Sequence, residues 1–210
     1  MHTDRFDGWI AGVGTTAGLR VVVGHWPRSP YGAFTDVMVE RPDGHRLLLA
    51  PDERVAEFVS STYTFDETRL GAVTHLEDGP LHRVTTAELD LILRVGARPP
   101  LGWLLRAVPR PLATAPPWIA AIDAIARWVL PGVRTVGSAG GGRREYYGAR
   151  DLHRVADAHV RWEGDDQGPL TPVDPPVRFG FGSTPRAPSL VRITTLVRHT
   201  SLAPRLASDP

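Results

Sequence analysis

The stretch TVGSAGGGRREYYGARDLH, residues 135–153, gathers many of the groups in this chain that could do chemistry. Consecutive glycines at Gly140, Gly141 and Gly142 can turn successive backbone N–H groups toward one point, and neighbouring guanidinium groups add forked donors for phosphate or carboxylate. Arg143 and Arg144 supply those groups. Read as a strand, residues 143–147 place Arg143, Glu145 and Tyr147 on one face, with Arg144 and Tyr146 on the other. The first set makes a candidate site: Arg143 for an anion, Glu145 as acid or base, and Tyr147 as hydrogen-bond donor. The same residues also read as a glycine loop with arginine and glutamate paired in solvent on a sheet edge.

Several reactions are excluded by what is missing. The spacing of Gly137 and Gly142 imitates a nucleotide P-loop, but Arg143 and Arg144 stand where that motif needs lysine and a magnesium-binding hydroxyl. All 24 basic residues are arginine, so no lysine amine is present to form a Schiff base or hold pyridoxal phosphate. Without cysteine there are no disulfides, thiolate nucleophiles or iron–sulfur clusters. No G-x-S-x-G elbow and no H-E-x-x-H motif is present, which leaves serine-hydrolase and zincin chemistry without support. No cofactor and no metal site is implied.

Two histidines extend the candidate site. His153 lies beside Asp151 and is a third candidate for proton transfer, although His153 and His159, six residues apart on a strand, sit about 20 Å from each other and cannot share an ion. His25, next to Trp26 at the end of VVVGHW, is placed to line the mouth of a cavity. Gly140–Gly142, Arg143, Arg144, Tyr146, His25 and Trp26 are therefore the candidate ligand-binding residues, and Glu145, Tyr147 and His153 the candidate catalytic ones.

The elements that position them follow from periodicity and turn chemistry. GWIAGVG and LRVVVGHW flank TTAG, and AFTDVMVE and HRLLLA flank RPDG, as antiparallel hairpins do. Residues 52–60 change to helical period, with Asp52 and Glu53 at the N-terminal end. RLGAVTHL and LHRVTT read as strands joined through EDGP, and Leu89, Leu91 and Leu93 alternate on one face of the next. Residues 101–130 break the β pattern and predict two helices split by a proline-rich hinge, a cover over the sheet. Residues 151–162 fit a strand better than a helix, VRFGFG reads as a short strand, and SLVRITTLVRH alternates again. The expectation is a mostly β (α+β) fold: a curled antiparallel sheet, barrel or sandwich, in one domain over residues 1–198 with a helical insertion at 99–131 and a disordered tail at 199–210.

A net charge of +1 offers no summed field for nucleic acid or an anionic membrane. The N-terminus has no secretory pattern, which predicts a cytoplasmic protein. The expected partner is a small, partly apolar molecule bearing an anionic group. The alternatives are a cofactor-free lyase or isomerase, and a protein- or membrane-interaction module using residues 99–131.

The phrases HWPRSPYGAF, DVMVERPDGHRLLLAP, STYTFDE, GSAGGGRREYYGARDLH and PPVRFGFGSTP together resemble a bacterial protein family without an assigned activity. SPYGAF before a hairpin and short helix, with LLRAVPRP later, more distantly resembles the acetoacetate decarboxylase type of curled β architecture. That family's catalytic lysine has no counterpart here, so imine-forming decarboxylation is not implied.

Overall fold

The computed structural model describes residues 2–121, 136–138, 143–180 and 184–199. Strands β1 (His2–Thr15), β2 (Arg20–Arg28), β3 (Phe34–Glu40) and β4 (Arg46–Ala50) form successive antiparallel pairs. The turns between them need left-handed backbone, and glycine supplies it: Gly18 has φ 85° and Gly44 φ 87°. Helix α1 (Glu53–Ser60) follows, and β5 (Glu67–Leu70) returns parallel to β4, so the sheet is mixed. The single run expected over RLGAVTHL is therefore two strands broken at Gly71, because β6 (Thr74–Asp78) belongs to the opposite sheet edge, paired with β7 (Leu81–Thr85).

From β7 the chain continues through β8 (Leu89–Val95), helices α2 (Pro100–Ala107) and α3 (Arg110–Ala113), and the short β9 (Val136–Ser138) to the long β10 (Arg143–Trp162). Two-residue strands β11 (Asp165–Asp166) and β12 (Leu170–Thr171) precede β13 (Ser189–His199). The order across the sheet is β5-β4-β3-β2-β1-β13-β10-β8-β7-β6, with β9 and β11 on β10 and β12 on β1. The sheet curls until the β6–β7 edge reaches β1, where the Trp9 ring lies 5.1 Å from His75 and 5.3 Å from His82.

The curl encloses one core and leaves a second on its outer face. Trp9, Val21, Val23, Leu91, Leu93 and Val160 point inward. Phe6, Ile10, Val22, Met38 and Leu48 point outward and are covered by α1 through Val55 and Val59. Strands β1 to β4 are thus buried on both faces, which is why their sequences run VVV and LLL instead of alternating with polar residues. Helix α1 is seated by its Asp52 N-cap, whose side chain accepts from the Val55 N–H at 2.9 Å. Asp52→Ala is expected to lower stability by about 1 kcal/mol in chemical denaturation, with the spectroscopic helix content of the native state unchanged.

The strand reading of residues 151–162 is correct, but two bulges interrupt its alternation, between Ala149 and Asp151 against β13 and between Val155 and Asp157 against β8. Ala156 consequently turns outward, and Asp151 is buried. The stretch at Val177–Phe179 is an extended loop and not a strand. Helices α2 and α3 occupy the expected cover region, and residues 116–121 are helical as well. Gly102 lets α2 lie directly on β10, since a methyl group there would meet the Leu152 carbonyl oxygen at 2.2 Å. Among the described residues no helix is long and apolar enough to cross a membrane.

Candidate functional site

A cavity lies between the outer face of the sheet and α1. Gly24, Trp26, Phe34, Asp36 and Met38 line it from β2 and β3, and Phe6 and Ile10 from β1. Phe58, Val59 and Tyr63 come from α1 and the turn after it, and Glu145, Tyr147 and Thr195 from β10 and β13. The cavity has a volume of about 40 Å3. That is room for about three waters, or a molecule of a few non-hydrogen atoms.

Asp36 is the group the fold treats most unusually. It sits on β3 with 3% of its surface exposed, and Trp26 Nε1 donates to its Oδ1 at 3.0 Å. Gly24, its register partner on β2, makes this contact possible: a methyl group there would lie 2.7 Å from both Asp36 Oδ1 and Trp26 Nε1. Burial pushes the Asp36 carboxyl up to about 7, with the Trp26 hydrogen bond only partly opposing it. The carboxyl therefore exchanges its proton near neutrality.

The opposite wall carries a chain of hydroxyls. Tyr147 donates to Glu145 Oε2 at 3.2 Å, and the Tyr63 and Tyr147 hydroxyls are hydrogen-bonded to each other. Tyr63 is held over the cavity because its N–H continues the last turn of α1 to the Val59 carbonyl. Burial, reinforced by the Glu145 charge, raises both phenols well above their ordinary value, so they remain protonated donors. Asp36 on one wall and Tyr63 on the other both border the cavity. Thr195 completes the lining with a buried hydroxyl that has no hydrogen-bond partner among the described residues.

The structure thus brings Glu145, Tyr147 and Trp26 to one cavity, the first two on one face as β alternation in REYYG implies. Other expected members lie elsewhere. Tyr146 faces the reverse side of β10, packed with Ile119 and Leu196 and stacked under Arg198 at 5.3 Å, and Arg144 is exposed. His25 points into the curl, its Nδ1 2.8 Å from Thr35 Oγ1. His153 lies beyond the first bulge, with Nδ1 donating to the Gly96 carbonyl at 3.0 Å and Nε2 3.5 Å from Asp151. Gly140–Gly142 and the Arg143 side chain lie outside the described residues. Asp36, Tyr63 and Thr195 had escaped the sequence reading.

No family model matches the chain, and no curated protein matches it. Among solved structures it is similar to acetoacetate decarboxylase from Legionella pneumophila subsp. pneumophila str. Philadelphia 1, with 9% identity and a TM-score of 0.44 over 93% of this chain and 84% of that one. It is also similar to a putative AttH from Nitrosomonas europaea, with 10% identity and a TM-score of 0.33 over 97% of this chain and 54% of that one. The distant architectural resemblance in the sequence thus has a weak structural counterpart. At these values it assigns no residue a role.

Proposed function

We propose that the cavity under α1 transfers a proton on a small, uncharged, oxygen-bearing molecule without a cofactor, the chemistry of a lyase or isomerase. The observation that carries this reading is Asp36: a carboxyl buried against apolar walls, facing the cavity, with Trp26 as its side-chain hydrogen-bond partner. A proton held that loosely at neutral pH suits a general acid or base. Thr195 offers an unpaired hydroxyl to a substrate oxygen. The Tyr63–Tyr147–Glu145 chain gives the facing wall a fixed polarity and a route along which a proton can be passed.

An anionic ligand fits this cavity poorly, because its described lining holds two carboxyl groups and no basic side chain. An anion brought beside Asp36 and Glu145 would raise the cost of ionising either one. The expected anionic partner therefore gives way to a neutral one.

The test needs no knowledge of the natural substrate. Small carbonyl and hydroxyl compounds are incubated with the protein in deuterated water, and loss of their C–H signals is followed by NMR. At least one compound is expected to exchange, with a rate that changes most steeply near pH 7 and falls about a hundredfold or more in Asp36→Asn. Tyr147→Phe should reduce the rate as well. Exchange that survives Asp36→Asn undiminished, or no exchange across the panel, overturns the reading.

A further inference from the structure

Inside the curl, on the other side of the sheet from this cavity, a second cluster has no role in the proton-transfer reading. The β6–β7 hairpin, closed by a tight turn at Gly79, places Glu77 directly opposite His82, and His75, two residues before Glu77, on the same face. His75 Nε2 and His82 Nδ1 are 3.0 Å apart. One ligand atom from each of the three residues falls within 4.8 Å of the other two. The cluster is anchored at the base and open at the top: His82 is 3% exposed, His75 half-buried and Glu77 exposed.

We propose that His75, Glu77 and His82 bind one divalent transition-metal cation of the zinc class. Two imidazole nitrogens on a tetrahedral zinc are separated by roughly 3.3 Å, so the observed 3.0 Å spacing is close to the edge such an ion requires. Two neutral imidazoles that share a hydrogen bond need only a tautomer change in one of them to present both lone pairs. Glu77 supplies the negative charge the ion needs, partly offset by Arg192, whose charge is felt at His82.

Two protein nitrogens and one carboxylate oxygen leave a fourth tetrahedral position. The His25 ring packs 4.2 Å from that of His75, and its Nδ1 is held by Thr35 Oγ1. Trp9 forms the floor. The fourth position is thus left to a water or a small exogenous ligand.

The full chain is titrated with Zn2+ by calorimetry and with Co2+ by visible absorption. One equivalent is expected to bind, with the intense cobalt bands of tetrahedral coordination. His75→Ala and Glu77→Gln should each weaken binding about tenfold or more while circular dichroism stays native. His45→Ala, a histidine outside the cluster, and Asp36→Asn should leave the affinity unchanged, which separates this site from the proton-transfer cavity. No uptake by the wild type, or uptake unaffected by both His75→Ala and Glu77→Gln, overturns the proposal.

Discussion

Asp36→Asn is expected to make the protein more stable than wild type at pH 8, and to lose that advantage as the pH is lowered to 4. In the unfolded chain the carboxyl gives up its proton near 3.8, whereas in the folded protein it holds it to about 7. Between those values the unfolded state releases a proton that the native state keeps, so native stability falls as pH rises and the full penalty is present above 7. The difference in proton affinity corresponds to about 4 kcal/mol. An amide has no charge to bury, and its oxygen still accepts from Trp26 Nε1. At pH 8 the variant should therefore melt about 10 °C above wild type, converging on it at pH 4. Because every other titrating group is common to both proteins, the difference between the two melting curves isolates Asp36. A gap that stays constant across this range would show a carboxyl already ionised near its ordinary value, and the proton-transfer reading would lose its central residue.

The sequence displayed the frame of this site more readily than its chemistry. Hairpins β1–β2 and β3–β4 were legible because their information is local: alternating or β-branched runs closed by turns whose glycines need positive φ. The alternation in REYYG likewise put Glu145 and Tyr147 on one face, where the structure has them. Asp36 and Glu40 were not legible, because an acid at a period-two position normally marks the solvent face. Strands β1 to β4 have no solvent face, and burial on both sides is a property of the curl and of α1, not of the strand itself. The metal-type cluster shows the opposite failure. Its pattern, H-x-E before an Asp-Gly turn and a histidine opposite, was present in THLEDGPLH, but it gains meaning only when the hairpin register is known. Long-range partners also decided the remaining errors. β5 leaves the expected run at Gly71 because β4 offers it a parallel edge after the α1 crossover. Arg178 is not in a strand because its N–H is taken by a side chain, Glu40, in place of a neighbouring backbone.

That interaction sets the second large effect. Glu40 is fully buried on β3 and holds two arginines: Arg20 NH2 lies 3.2 Å from its Oε1, while Arg178 donates through Nε at 2.8 Å and through its backbone N–H at 2.7 Å. The two arginines differ in their alternatives. Arg178 is two-thirds exposed and can turn to water, but the Arg20 side chain is 5% exposed and bonded to the carbonyls of Pro175 and Arg41. Glu40→Gln would strand that guanidinium charge in the interior, at an expected cost of about 3–5 kcal/mol. The cost belongs to the uncompensated charge and not to the lost contact. A double variant, Arg20→Met with Glu40→Leu, should therefore recover most of the stability in urea denaturation. The loss should reach the cavity as well, because Phe179, one residue after Arg178, packs in the outer core and its carbonyl receives the Thr64 N–H, next to Tyr63. Amide exchange at Thr64 is expected to accelerate in Glu40→Gln beyond the global destabilisation. A single variant within 1 kcal/mol of wild type would mean that water reaches Arg20, and that the loop over the candidate site is held by packing alone.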